Sequence, residues 1–198
     1  MAPHSKRNSA MGSIRIIGGQ WRGRKLPVLD AQGLRPTTDR VKETLFNWLQ
    51  GRIANRRCLD LFAGSGGLSF EALSRQASFV QALELFPPAV KQLVTNRQVL
   101  QLDEQKLPIQ CTDTLQFLAN QPLQGFDLVF IDPPFRTNLV APCCQLLQSY
   151  GWLNPAALVY IECEREASPL NVPWSLLKEK CAGQVLSRLY QVEGERVC

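Results

Sequence analysis

An acid, two consecutive prolines and an aromatic, Asp132-Pro133-Pro134-Phe135, follow directly on the apolar run Phe126 to Ile131. This combination suits chemistry on an amine of a nucleobase. An exocyclic amine is a poor nucleophile, because its lone pair is delocalised into the ring. To attack a methyl group it must become more tetrahedral, and two acceptors, one for each N–H, can hold it so. The Asp132 carboxylate is one acceptor and the Pro133 carbonyl a second. Pro133 and Pro134 fix φ and lack N–H donors, so the turn is stiff and presents acceptors only. Phe135 offers a flat face for a base taken out of its stack. Catalysis would come from alignment and preorganised electrostatics, with no need of a metal or a histidine. The plainer alternative is that the proline pair merely ends a strand.

A second group of residues could hold a methyl donor. Leu59-Asp60-Leu61-Phe62-Ala63-Gly64-Ser65-Gly66 places a glycine turn at the end of an apolar run, where a backbone without Cβ atoms can approach a ligand. Glu84 lies 20 residues beyond Gly64, the spacing of a carboxylate that grips both hydroxyls of a ribose. Three readings compete. A dinucleotide site wants G-x-G-x-x-G, but Ser69 occupies the third position. A hydrolase elbow, a loosened G-x-S-x-G around Ser65, needs a histidine base, and the sole histidine is His4, in the tail. The third is an adenosine site without a pyrophosphate. Asp60 favours it, since a carboxylate there can receive the cationic amino group of a methionine moiety. In that reading Asp113 accepts from the adenine amino group and the Thr114 backbone N–H meets a ring nitrogen. As an ordinary helix N-cap, Asp113 would need no ligand at all.

These residues must be positioned by alternating strands and helices. Strands are expected at Cys58–Phe62, Ser78–Leu85, Ile109–Thr112, Phe126–Ile131 and Ala157–Cys163. Helices are expected from the glycine loop to about Ser74, from Pro87 to about Leu100, over Thr114–Ala119 and near Leu139–Gln148. Near-continuous apolar strands joined by helices imply a parallel sheet covered on both faces. Trp174–Cys181 and Gln184–Val192 flank Ala182-Gly183 as a hairpin, which is antiparallel by necessity. The expected fold is therefore α/β and Rossmann-like, with a seven-stranded, mostly parallel sheet and one antiparallel strand near its end. Ahead of it, Ile14–Ile17 and Gln20–Leu26 around Gly18-Gly19 read as a basic hairpin. Arg35-Pro36-Thr37-Thr38-Asp39 leads into a helix with the apolar stripe Val41, Leu45, Trp48 and Leu49. Residues 1–12 read as a disordered basic tail, 13–52 as an N-terminal extension and 53–198 as the catalytic domain.

Of the net charge of +5, residues 1–57 carry +9, with 12 Lys and Arg against 3 Asp and Glu. A basic front end on a mildly acidic domain points to a polyanionic partner. The seven cysteines are odd in number and contain no CxxC pair, which argues for reduced thiols in a cytoplasmic protein and against a zinc site or a disulfide frame. No apolar run is long enough to span a bilayer, and the N-terminal residues have no signal-peptide character.

The set Asp60 to Gly66, Glu84, Asp113 and Asp132-Pro133-Pro134-Phe135 resembles the class I methyltransferases, and the tetrapeptide resembles their [D/N]-P-P-[Y/F] amino-methyltransferase signature. A closer resemblance covers nearly the whole chain. Ile14–Leu26 (IRIIGGQWRGRKL), Leu34–Asn47 (LRPTTDRVKETLFN), LDLFAGSGGLSFEALSR and FIDPPF are similar to the bacterial RsmD family. That resemblance implies methyl transfer from S-adenosylmethionine to N2 of a guanine in 16S ribosomal RNA. It implies cofactor contacts at Asp60, Phe62, Ala63, Gly64, Ser65, Gly66, Glu84, Leu85, Asp113 and Thr114, and catalytic roles for Asp132, Pro133, Pro134 and Phe135. It also puts Arg15, Gln20, Trp21, Arg22, Arg24 and Lys25 on an RNA-facing extension, with Arg35, Thr37 and Arg40 bordering the cleft. The implied partner is ribosomal RNA within the small subunit or an assembly intermediate, with no membrane or metal involved and a monomeric enzyme. Arg and Lys neutralise phosphates and Trp21 can stack on a base, although Trp21 could equally pack the hairpin onto the core. A DNA amino-methyltransferase and a non-catalytic RNA-binding assembly factor are the alternatives.

Overall fold

The computed structural model describes residues 12–29, 39–167 and 170–194. The expected tail, and the segment carrying Arg35 and Thr37, lie outside these. The elements are β1 (Ser13–Arg15), β2 (Lys25–Pro27), α1 (Asp39–Trp48), β3 (Arg57–Asp60), α2 (Gly67–Ser74), β4 (Phe79–Glu84), α3 (Pro87–Val99), β5 (Ile109–Cys111), α4 (Thr114–Leu118), β6 (Phe126–Ile131), α5 (Val140–Ser149), β7 (Leu153–Glu164), β8 (Ser175–Ala182) and β9 (Val185–Gln191).

Seven strands form one sheet in the order β5-β4-β3-β6-β7-β9-β8. The first five are mutually parallel. Strand β9 runs antiparallel to both neighbours; against β8 it must, because a seven-residue strand returning through the tight Gly183 turn can only reverse direction. The Rossmann-like sheet expected from the apolar strand runs is thus present. From β3 the chain steps outward through β4 and β5, then returns to place β6 on the other side of β3. That reversal opens a crevice beyond the carboxyl ends of β3 and β6.

Pleat alternation sends successive side chains to opposite faces. On one face Cys58, Val80, Leu128, Phe130 and Tyr160 meet α1, α2, α3 and the β1–β2 hairpin in one core. On the other, Leu59, Leu83, Val129, Ile131 and Ile161 meet α4 and α5, with Trp152 and Trp174 sealing the edge. Of the expected stripe, Leu45 in α1 and Leu49 just after it are buried and Trp48 is half-buried; Phe46 is fully buried and Lys42 nearly so, beyond what the stripe foresaw. Strand β7 begins four residues before its expected start, where a register shift opposite Phe126–Leu128 lets Leu153 pair as well. The sheet ends on one side in the three-residue β5. On the other it ends in the charged β8, whose Lys178, Glu179 and Lys180 are exposed.

The hairpin is shorter than expected, pairing only Ser13–Arg15 with Lys25–Pro27; Gly19–Trp21 form a 3-10 turn instead of opening the second strand, because this stretch is anchored on α2. Buried Glu71 accepts from the Ile17 backbone N–H (2.8 Å) and from Arg75 (2.7 Å). The Ser74 hydroxyl donates to the Gly18 carbonyl (2.6 Å) and accepts from the Trp21 backbone N–H (3.0 Å). Gly18-Gly19 does more than turn the chain. A Cβ on Gly18 would stand 2.2 Å from the Arg75 guanidinium, and one on Gly19, at φ +73°, 1.9 Å from the Ser74 carbonyl oxygen. Two glycines let the backbones meet.

Candidate active site

A cavity of about 740 Å³ lies over the carboxyl ends of β3, β4, β6 and β7, within the range of small-molecule sites. Of the residues singled out in the sequence, it is lined by Asp60, Phe62, Ala63, Gly64, Ser65, Glu84, Leu85, Asp113, Thr114, Asp132, Pro133, Pro134, Phe135 and Arg40. Gly66 is not among the lining residues. It sits in left-handed backbone (φ 82°) at the N-terminus of α2, where a Cβ would meet Phe70 and Leu93 at 2.4 and 2.6 Å. Its place is in the turn.

Each carboxylate is set differently. Asp60 is buried, with Oδ2 accepting from the Ser69 hydroxyl at 2.6 Å and Oδ1 buried without a hydrogen-bond partner. Burial pushes its carboxyl up to about 7, the Ser69 hydroxyl pulls it back, and the Asp132 carboxylate raises it further. Glu84 is clasped by backbone, Oε2 accepting from Gly64 N–H and Oε1 from Phe86 N–H, both at 2.8 Å. A carboxylate has about four acceptor sites, so each oxygen keeps capacity for a hydroxyl. Asp113 is the N-cap of α4, accepting from Gln116 N–H at 3.0 Å, so its capping role is real whatever else it does. The Thr114 hydroxyl donates to the Leu61 carbonyl at 2.7 Å and ties α4 to the end of β3.

Register explains why the glycine loop and the proline turn face each other. Asp60 pairs with Phe130 across the β3–β6 ladder, so Asp132, two residues on, emerges on the same face just beyond it. Pro133 is buried, while Pro134 and Phe135 are exposed at the rim. The turn is braced from outside. The Arg136 backbone N–H donates to the Glu164 carboxylate, and the Thr137 hydroxyl to the Pro134 carbonyl at 2.6 Å. Arg136 and Asn138 have φ of 64° and 55°, a left-handed conformation that sharpens the bend at a cost of about a kcal/mol or more each.

The sequence reading passed over Glu162. This residue is 5% exposed and lines the cavity from the end of β7. The signal was partial: an acid near the end of an apolar strand, where Glu84 stands at the very end of β4. Ala182 and Val185, from the β8–β9 turn, complete the wall and lacked any such signal.

On the extension, Gln20, Arg22, Arg24 and Lys25 are exposed on the hairpin. The Arg15 guanidinium pairs with Asp39 at 3.0 Å while its carbonyl accepts from Lys42 at 2.7 Å, so this arginine also fixes the hairpin to α1. Trp21 is half-buried and packs against the core. Cys58, Cys143, Cys144 and Cys163 are buried thiols; burial pushes Cys143 and Cys144 up to about 12. Among the described residues no helix is long and apolar enough to cross a membrane.

Residues 14–191 match the family described as conserved hypothetical protein 95. The chain is 53% identical over 188 residues to ribosomal RNA small subunit methyltransferase D of Haemophilus influenzae, covering 92% of this chain and 96% of that protein. It is 50% identical over 190 residues to the protein of the same name from Escherichia coli K12, covering 95% and 94%. Among solved structures it is similar to the putative methyltransferase yhhF from Escherichia coli, at TM-score 0.84 and 48% identity, covering 93% of this chain and all of that one.

Proposed function

This chain belongs to the RsmD family, and we propose that it transfers a methyl group from S-adenosylmethionine to the exocyclic N2 amine of a guanine in 16S ribosomal RNA. The observation that carries this reading is the meeting of two loops at the sheet's reversal point. The acceptor-only turn Asp132-Pro133-Pro134-Phe135 faces the glycine loop whose Asp60 keeps a buried, unpartnered oxygen.

The cavity residues fit the cofactor. A cationic amino group would satisfy Asp60 Oδ1 and, by its charge, draw the carboxyl back toward ionisation. Glu84 would take the ribose hydroxyls, Asp113 and the Thr114 backbone the adenine edge, and Leu85 the ring face. The loop from Phe62 to Gly66 supplies the close backbone. When bound, the cofactor supplies a methyl group on a positively charged sulfur, which makes that carbon electrophilic.

The protein's own part is to prepare the amine. Asp132 and the Pro133 carbonyl hold its N–H groups, Phe135 stacks the base, and Pro134 stiffens the turn. When the nitrogen gains its carbon it must lose one proton, and Asp132 is the group there that can take it. The extension, residues 13–52, would grip RNA through Arg15, Gln20, Arg22, Arg24 and Lys25 on phosphates, with Arg40 bordering the cleft. The half-buried packing of Trp21 favours a supporting role under that surface. Such an enzyme works in the cytoplasm, where its substrate is made. The cofactor, carrying a labelled methyl group, is incubated with the protein and separate pools of small-subunit RNA and DNA. Label is expected in the RNA as N2-methylguanine by mass spectrometry. Label in DNA adenine or cytosine, or none anywhere, would sink the reading.

A further inference from the structure

We propose that Glu162 selects guanine, its carboxylate accepting the N1–H of the base whose N2 amine Asp132 holds. The inference rests on the reading of the proline turn as the amine-holding site. Ile131 pairs with Ile161 in the parallel β6–β7 ladder, so the residues that follow, Asp132 and Glu162, stand side by side on one face. Both line the cavity. Glu162 is fixed there. The Tyr160 hydroxyl, two residues back on the same face, donates to Glu162 Oε2 at 2.9 Å and lies 3.1 Å from the Ser187 hydroxyl. Burial, and then the Glu162 charge, hold the Tyr160 phenol well above its usual range, so it remains a donor. That bond orients a carboxylate, which offers about four acceptor sites in all.

A carboxylate on the cavity wall beside Asp132 can accept one more donor from a base seated there. The base chemistry says which donor. Beside its exocyclic amine, guanine carries a ring N1–H. Adenine and cytosine carry at the matching position a bare ring nitrogen with a lone pair. A second carboxylate next to Asp132 therefore rewards guanine and repels the other two amines, which discriminates by a clash as well as by a bond. The proline turn alone cannot make that distinction, since all three bases offer it an amine.

The test uses 2-aminopurine, which keeps the C2 amine but has no N1–H. After the methylated guanine is located in the product RNA, small-subunit RNA carrying either base at that position is compared under kcat/KM conditions. The wild-type protein is expected to prefer guanine by roughly 100-fold or more. In Glu162→Gln, an isosteric amide can donate to the bare nitrogen, so the preference should shrink at least tenfold and cofactor affinity should stay unchanged. A purely structural role for Glu162 would lower both rates together and leave their ratio intact, and that result overturns the inference. Equal use of both bases by the wild type, with guanine methylated normally, overturns it without touching the methyl-transfer reading. Failure to methylate guanine at all would overturn both.

Discussion

The two sides of the cleft are built on different plans. On the β3–β5 side, each carboxylate has at least one partner close by in sequence. Asp60 takes Ser69, Glu84 takes Phe86 as well as Gly64, and Asp113 caps its own helix. On the β6–β7 side the bracing also reaches far along the chain. Arg136 leans on Glu164, and Glu162 meets Tyr160 on its own strand and, through that hydroxyl, Ser187 on β9. The first side binds a small ligand of fixed shape and can be written into short motifs. The second must meet a polymer, and its geometry is assembled by the sheet.

The sharpest way to separate the sides is Asp132→Ala. Turnover should fall about 1,000-fold or more, since an alignment and charge-stabilising group is lost. Because Asp132 raises the Asp60 carboxyl, cofactor affinity at pH 7 should hold or tighten slightly by calorimetry. A weaker cofactor would show that the sides are not separate.

The converse change, Asp60→Asn, should weaken the cofactor by about 100-fold, through loss of a buried charged partner. For the wild type the same affinity should decline as pH drops below about 7, by up to about tenfold per unit, as Asp60 protonates. A flat profile from pH 8 to 5 would remove Asp60 from the site.

Replacing Arg22, Arg24 and Lys25 together with alanine addresses the hairpin. RNA affinity should fall about tenfold and the log–log salt dependence flatten by up to about three charges, with cofactor affinity untouched. An unchanged salt slope would mean that RNA runs elsewhere.

A further effect is on stability. The Asp60 carboxyl rises from an ordinary 3.8 to about 7 on folding, so the folded protein binds this proton more tightly. Its contribution is fully present below pH 4 and lost as pH climbs through about 7, at most about 4 kcal/mol. Without cofactor, Asp60→Asn should melt several degrees above wild type at pH 8, the gap closing toward pH 4. A constant gap would assign the gain to packing instead.

The contrast between the sides also accounts for what could be read from the sequence. Asp60, Glu84, Asp113 and Asp132-Pro133-Pro134-Phe135 announce themselves because each ends an apolar strand and begins a turn, and strand order then follows from the alternation with helices. Glu162 gave the same sign but sits inside a strand that continues to Glu164, so it read as sheet. Ala182 and Val185 reach the cavity only because β9 inserts between β7 and β8, a pairing that no local pattern specifies. Gly18-Gly19 looked like a turn. That its true constraint is the carbonyl of Ser74, 55 residues away in the case of Gly19, belongs to packing alone.

The sheet's two margins have a consequence for handling this protein. A long bare strand is a template on which further chains can add without limit, the route to fibrous precipitate. Here one border offers three residues and the other interposes Lys178, Glu179 and Lys180. Neither border of the described sheet is therefore a long, uncharged template for open-ended growth.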